Sequence, residues 1–151
     1  MSNAIRAGLL MFVLACCSSP PRPMITPISA QGAPAAIGPY SHGMECQGSL
    51  VFLSGQIALR PDGTFVDGTV EEQTRLALAN VATILSSQGL LPSHVVKATI
   101  FLQTMDDFAA VNGVYADFFG GHRPARSTVA VAGLPKGAKV EIEVVACRPL
   151  P

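Results

Sequence analysis

The sequence predicts an α+β fold, a sandwich in which two helices cover one face of a mixed β-sheet. Two segments carry apolar residues at helical spacing and begin with helix-capping residues. Several shorter segments are rich in β-forming side chains, which gives the order β-β-α-β-α-β-β. Each helix has a single apolar stripe, so both helices are expected on the same sheet face. The other face then needs a partner, which favours an oligomer.

The first predicted unit is a strand, a turn and a strand over residues 41–57. A polar stretch with a glycine, residues 45–49, separates the two strands, and residues 50–57 are rich in β-forming side chains. Pro61-Asp62-Gly63 then closes a turn, because Pro and Gly favour backbone conformations that tight turns require.

The first helix is predicted over residues 70–88. Thr69 and Glu72 have the spacing of a capping box, in which the hydroxyl accepts one unpaired backbone N–H and the carboxylate accepts another. Gly89 provides the left-handed residue that ends the helix. The apolar face of this helix comprises Ala77, Val81, Ile84 and Leu85.

A strand and a second helix follow. Residues 95–102 alternate in hydrophobicity and predict a strand with one dry face. Thr104 and Asp107 open the helix, and the pair Gly120-Gly121 ends it. The apolar face of this helix comprises Phe108, Val111, Tyr115 and Phe118.

The last two predicted strands, residues 126–132 and 138–147, flank a turn at residues 134–137. Arg126 begins the first strand, and Glu141 lies on the more polar face of the second. One interpretation is solvated surface charge. The other is that Arg126 holds a carboxylate through a bidentate fork, for which a guanidinium is well suited.

A hairpin of these two strands would place Arg126 opposite about residue 145. Glu141 would then lie about 13 Å away along the strand, at about 3.3 Å per residue. Such a pair could share a small ligand only awkwardly within one subunit. If the two residues cooperate, the spacing favours a site at a subunit interface.

Residues 1–23 are set apart from the predicted domain, residues 24–151. Arg6 precedes an apolar run, residues 7–17, that is shorter than the roughly 20 residues needed to span a bilayer. This pattern fits a secretory signal, and Val13-Leu14-Ala15-Cys16 resembles a lipobox in which Cys16 would be lipidated. The alternative is a spurious extension upstream of a start at Met24. With a start at Met24 the protein would be cytoplasmic. With a functional signal it would be exported, or lipid-anchored at Cys16.

The charge balance argues against a nucleic-acid partner. The 151 residues are 49% hydrophobic and 13% charged, and ten basic residues balance ten acidic ones. Without Arg6 and Arg22, eight basic residues remain against ten acidic ones, a net charge of −2 from Met24 onward. Such a chain has no positive field to attract phosphates.

The cysteines and histidines predict no metal site. The chain contains no CxxC pair, and His42, His94 and His122 are widely spaced. No phosphate-binding, dinucleotide-binding or metalloprotease motif is present, so no cofactor is expected. Cys46 and Cys147 are predicted to be two buried free thiols, with a disulfide as the alternative.

Several motifs, in order from about Met24 to Arg148, resemble those of the RidA (YjgF/YER/UK) family. That resemblance implies a chorismate-mutase-like α+β fold and a homotrimer with sites between subunits. It also implies cofactor-free hydrolysis of reactive enamines and imines, such as 2-aminoacrylate and 2-iminobutanoate, to 2-oxo acids and ammonia. The motifs are Ala35-Ala36-Ile37-Gly38-Pro39-Tyr40-Ser41, Ser54-Gly55-Gln56-Ile57, Phe108-Ala109-Ala110-Val111-Asn112, Pro124-Ala125-Arg126-Ser127-Thr128-Val129 and Leu134-Pro135-Lys136-Gly137-Ala138-Lys139-Val140-Glu141-Ile142-Glu143.

The resemblance also assigns roles to individual residues. Arg126 would bind the substrate carboxylate, and Glu141 would position or activate the attacking water. Many members carry an acidic and a basic residue where this chain has Ala130 and Gly133. The other residues expected to line the substrate pocket are Tyr40, Ser54, Gly55, Phe108, Asn112 and Thr128.

Two other functions remain as alternatives to the deaminase. One is a non-catalytic protein that binds small carboxylates or regulates a partner. The other is an endoribonuclease or translation inhibitor, names that some family members carry. The neutral charge and the few aromatic residues argue against RNA binding.

Overall fold

The computed structural model describes residues 24–150, so the segment 1–23 and its predicted leader lie outside the described residues. The order of elements confirms the predicted α+β class and adds a first strand, β1, that the sequence pattern does not predict. The elements are β1 (Ile25–Ile28), β2 (Gly43–Cys46), β3 (Gly48–Gln56), α1 (Val70–Ser87), β4 (Val95–Leu102), α2 (Phe108–Phe119), β5 (Ala125–Ala130) and β6 (Val140–Pro149).

Strands β3, β6, β4 and β5 form one mixed sheet in that order, while β1 and β2 form a separate antiparallel pair. Strand β4 is parallel to β5, and the other two pairings are antiparallel. The predicted hairpin of β5 and β6 is therefore wrong, because β4 lies between them. Helix α2 crosses over from β4 to the parallel β5, and the chain then returns to the far side of β4.

Both helices pack on one face of this sheet, as predicted. The side chains of β4 show the difference between the two faces. Ala98 and Ile100 are fully buried, while Lys97 and Thr99, which point the other way, are partly exposed. We call the two sides the helix-covered face and the open face. The open face includes Lys97, Thr99 and Phe101 of β4, and Glu141, Glu143 and Val145 of β6.

The predicted capping box begins α1. The Thr69 N–H donates to Glu72 Oε2 at 2.8 Å, and the Glu72 N–H donates to Thr69 Oγ1 at 3.3 Å. These bonds satisfy backbone donors that a helix N-terminus otherwise leaves unpaired. The helix ends at Ser87, and Gly89 has the positive φ of 67° expected of the terminating glycine.

Cys46 and Cys147 form a disulfide, with their Cα atoms 6.3 Å apart. The prediction of two free thiols is therefore wrong. Consecutive strand residues point to opposite faces, yet Ala146 and Cys147 are both fully buried. The hairpin of β1 and β2, which carries Cys46, thus covers this end of β6. Because 101 residues separate the two cysteines, nothing local in the sequence indicates the pairing.

Two kinds of feature are absent from residues 24–150. No helix there combines the length and hydrophobicity needed to cross a bilayer. Within the same residues, no group of three or more His, Cys, Asp or Glu side chains is placed to hold a metal ion.

Replacing the capping residue tests how α1 is stabilised. We expect Thr69→Ala to lower the free energy of unfolding by about 1 kcal/mol, because the Glu72 N–H loses its acceptor. Urea denaturation followed by circular dichroism measures the change. Thr83→Ala is the matched control, since Thr83 is exposed in the middle of the same helix and bonds only its own turn. An equal loss in both variants would contradict the capping role.

Candidate functional site

Arg126 lies in the edge strand β5, on the helix-covered face. It pairs with the buried Ala98 of β4, and paired residues in neighbouring strands point to the same face. Its guanidinium carbon lies 4.9 Å from the ring centroid of Tyr115, 5.4 Å from that of Tyr40 and 5.8 Å from that of Phe108. All three distances are within cation–π range, so three rings fix the position of one cation.

Two of these rings come from α2. Phe108 and Tyr115 are seven residues apart, which places them on the same helix face two turns apart. Tyr115 is fully buried, and its ring centroid lies 4.5 Å from that of Phe119. The packing of α2 on the sheet therefore sets the position of both rings against Arg126.

The third ring comes from the loop 29–42 that connects β1 to β2. The Tyr40 hydroxyl accepts a hydrogen bond from the Ile37 N–H at 3.2 Å. Ser41 joins the loop to the sheet, because its N–H donates to the Pro124 carbonyl at 3.3 Å. Glycine at position 38 leaves room for the guanidinium, because a Cβ atom there would stand 2.9 Å from Arg126 Nη2.

No carboxylate neutralises Arg126 among the residues that the structure describes. Burial lowers the pKa of the Arg126 guanidinium, and the groups that oppose this shift are the phenols of Tyr115 and Tyr40. Burial also raises the pKa of Tyr115 well above its usual value, against the influence of Arg126 and Arg123, so this phenol stays neutral. The guanidinium stays charged, since arginine does not lose its proton in proteins.

Three buried polar atoms in this region have no hydrogen-bond partner within residues 24–150. They are Arg126 Nη1, Thr128 Oγ1 and the Tyr115 hydroxyl. An unpaired buried polar atom costs about 1–3 kcal/mol. Unpaired donors beside a desolvated cation form a site that favours an anion, above all a planar carboxylate that can accept two parallel hydrogen bonds.

A cavity of about 250 Å³ opens beside Arg126. It brings together four of the predicted site residues, Tyr40, Phe108, Arg126 and Thr128. Ile37 and Met105 complete its wall. Neither of these two residues nor Tyr115 is predicted as a site residue from the sequence. Ile37 carries a usable signal in the sequence, because it lies within the motif at residues 35–41.

Glu141 belongs to a second group on the open face. Its carboxylate lies directly over Gly55, in the space that a Cβ atom at position 55 would occupy. Ser54, the preceding residue of β3, is exposed. The register between β3 and β6 shifts between Leu53 and Gln56, so Gly55 lies at a local irregularity of the strand. Gly55 thus makes room for the Glu141 carboxylate.

Arg126 and Glu141 lie on opposite faces of the sheet. On β4, Arg126 pairs with Ala98, whereas Glu141 pairs with Phe101. These two partners are three positions apart along β4, and side chains an odd number of positions apart point to opposite faces. With one strand between them, the two Cα atoms are about 14 Å apart. A small molecule cannot reach both side chains of one copy.

The structure thus divides the predicted site residues into two groups. Tyr40, Phe108, Arg126 and Thr128 surround the cavity, while Ser54, Gly55 and Glu141 lie on the open face. Asn112 lies one helical turn after Phe108 in α2 and is partly buried, but it does not line the cavity.

Comparison with known proteins gives consistent matches over this domain. A family model described as endoribonuclease L-PSP matches residues 30–148. The 2-iminobutanoate/2-iminopropanoate deaminase of Salmonella typhimurium is 46% identical over 124 residues, which are 80% of this chain and 96% of that protein. Protein HMF1 of Saccharomyces cerevisiae is 42% identical over 122 residues, which are 81% of this chain and 94% of that protein.

A solved structure agrees with these sequence matches. The crystal structure of E. coli TdcF with bound serine aligns with a TM-score of 0.63 and 45% identity, covering 82% of this chain and 98% of that chain. The fold, the family match and the relatives named as deaminases support a function of the RidA type. The chain therefore belongs to the RidA (YjgF) family, whose family model is described as endoribonuclease L-PSP.

Proposed function

We propose that this chain hydrolyses reactive enamines and imines of small 2-amino acids, such as 2-aminoacrylate and 2-iminobutanoate, to 2-oxo acids and ammonia. The observation that carries this proposal is Arg126, a half-buried guanidinium enclosed by three aromatic rings without a carboxylate partner in the described residues. These substrates all carry a carboxylate next to the reacting carbon, which gives this cation its missing counter-ion.

The reaction asks little of the protein beyond positioning. The carbon of a protonated imine is already electrophilic, so water adds to it and forms a carbinolamine. The C–N bond then breaks, ammonia leaves, and the carbon becomes the carbonyl of the 2-oxo acid. An enamine such as 2-aminoacrylate first takes a proton on carbon and becomes the imine. Binding the carboxylate at Arg126 and orienting one water provide the main rate gain.

Glu141 is the group that we assign to the water. A carboxylate can accept a proton from water as it attacks and return one to the departing nitrogen. The absence of a side chain at Gly55 leaves the Glu141 carboxylate the space that it occupies. Ser54 lies next to it, and its exposed hydroxyl can hydrogen-bond the substrate.

The opposite orientations of Arg126 and Glu141 favour a site built from two copies of the chain. We propose the homotrimer that the family resemblance implies, in which one copy provides the Arg126 cavity and its neighbour the Glu141 carboxylate. The open face is suited to such contact, because it exposes large apolar side chains. Leu50, Phe52 and Val129 are 52%, 74% and 45% exposed.

The relatives are consistent with this chemistry. The Salmonella protein is named for 2-iminobutanoate and 2-iminopropanoate, and the TdcF crystal structure is described with bound serine. Serine is a three-carbon 2-amino acid, so its carboxylate and nitrogen have the same arrangement as those of the proposed substrates. The name endoribonuclease has less support here, because the net charge from Met24 onward is −2.

Removing the guanidinium tests the carboxylate site. We expect Arg126→Ala to lower kcat/KM by about 100-fold or more, the effect of leaving a buried charge partner unpaired. Arg126→Lys should recover only part of the loss, since an ammonium cannot form the bidentate fork. In the assay a second enzyme generates 2-iminobutanoate, and the release of 2-oxobutanoate by this protein is followed.

Arg75→Ala is the matched control for that experiment, because it removes an arginine that is exposed on α1. It should leave the rate unchanged. If wild type and Arg126→Ala release the product equally fast, the proposed function is wrong. If a small carboxylate raises the Tm while turnover is absent, the alternative of a non-catalytic binding protein is favoured.

Mixing two inactive variants tests the shared site. Co-expressed in equal amounts, Arg126→Ala and Glu141→Gln should recover about one quarter of the wild-type activity, because random assembly gives that share of interfaces both intact residues. Mixtures of separately purified, unexchanged proteins are the control and should remain inactive. Failure to recover activity after confirmed co-assembly would place both residues in one copy or remove one of them from the reaction.

A glycine substitution tests the position of the Glu141 carboxylate. We expect Gly55→Ala to lower kcat/KM by about 10- to 100-fold, because the added Cβ displaces a group whose position matters to within 1 Å. Gly113→Ala is the control, since Gly113 lies in α2 with nothing near its missing Cβ. It should keep its activity and gain up to about 1 kcal/mol of stability. Similar activity in the two variants would contradict the role of Gly55.

A further inference from the structure

The hairpin of β1 and β2 is not part of the main sheet, although Gln47 joins β2 directly to β3. It forms a separate two-stranded sheet. At one end Ser41 pairs with Ala125 of β5, and at the other end Cys46 is bonded to Cys147 of β6. Between the hairpin strands runs the loop 29–42, which brings Tyr40 to Arg126. The disulfide thus adds a cross-link to a hairpin that is also joined to β3 through Gln47 and that provides a wall of the Arg126 cavity.

A disulfide at this position indicates the compartment in which the chain works. A domain of this size can bury a sufficient core without a covalent cross-link. Disulfides that hold a fold together form and persist in oxidising compartments, whereas cytosolic thiols are kept reduced. Cys147 is fully buried and Cys46 is partly buried, so the bond belongs to the folded structure rather than to an exposed reactive pair.

The sequence before Met24 is an independent observation that points the same way. Arg6, the apolar run at residues 7–17 and the following Ser/Pro stretch have the layout of a secretory signal. Each observation explains the other, because export would deliver the two thiols to an oxidising compartment.

We propose that the chain is exported by its N-terminal segment and that Cys46 and Cys147 are oxidised afterwards, fastening the β1–β2 hairpin to β6. In this step each thiol loses its proton, one S–S bond forms, and the two electrons reduce a disulfide of an oxidising protein or small molecule to its dithiol. The proposal does not depend on the reaction proposed above.

Differential thiol labelling of the full chain, expressed from Met1 in a bacterial host, tests the proposal. Cells are quenched with acid, free thiols are alkylated, and the remaining cysteines are labelled with a second reagent after reduction. We expect Cys46 and Cys147 to take only the second label, and the chain to be found outside the cytoplasm. The matched control Leu10→Arg/Phe12→Arg breaks the apolar run and should leave both thiols free in the cytoplasm.

The possible outcomes of this experiment either support or overturn export and oxidation of the chain. First-label modification of Cys46 and Cys147 in the wild-type chain overturns the proposal. So does an oxidised pair in a chain that stays in the cytoplasm, or in the Leu10→Arg/Phe12→Arg variant. The fold of the wild-type chain is checked by circular dichroism, because an unfolded chain would also leave both thiols free.

The Tm of the purified full chain tests the fastening itself. Reduction should lower the Tm of the wild type by roughly 10 °C, the effect expected of opening a loop of about 100 residues in a chain of this size. Cys46→Ser should already have the lower Tm and should not respond to the reductant. An equal response of wild type and Cys46→Ser would show that the disulfide does not fasten the hairpin.

Discussion

The rest of the site depends on the guanidinium of Arg126, which is surrounded by aromatic rings and has no neighbouring carboxylate among residues 24–150. A cation in such a place loses hydration that the rings replace only in part. Three parts of the chain must therefore be held together around it, namely β5, the buried face of α2 and the loop 29–42. The packing of α2 on the sheet fixes β5 and the buried face of α2. The attachments of the β1–β2 hairpin fix the loop 29–42.

The pleat of the sheet imposes the second constraint. Side chains that leave β5 and β6 on opposite faces cannot be brought together by rotating their bonds. In the proposed assembly the two faces provide the two halves of the site. Each copy carries Arg126 on its helix-covered face and Glu141 on its open face. Oligomerisation is then part of the chemistry and also the means of covering the apolar open face.

Local chemistry makes the helices predictable from the sequence. Thr69 and Glu72 are three residues apart, and the bonds that they form depend on nothing distant. The resemblance to a family identifies four residues that the structure brings to one cavity, among them Arg126 and Thr128. The contribution of Tyr115 is harder to predict, because an aromatic residue on an apolar helix face is usually an ordinary core residue.

Features that depend on distant pairing are not predictable in this way. Strand β1 has only four residues and contains Pro27, which weakens its strand pattern. The insertion of β6 between β3 and β4 is decided by long-range packing, so adjacency along the chain suggests a hairpin that does not exist. The pairing of Cys46 with Cys147 likewise depends on where the hairpin crosses the sheet.

The unpaired polar atoms beside Arg126 have a consequence for engineering. Strand β5 and helix α2 keep a charged group and two hydroxyls that have no hydrogen-bond partner among the described residues, where apolar side chains could fill the same space. Such replacements can be neutral or stabilising when they remove the unpaired groups entirely. A search for heat-resistant variants would therefore be drawn to this edge, and each gain in durability there would remove part of the anion site.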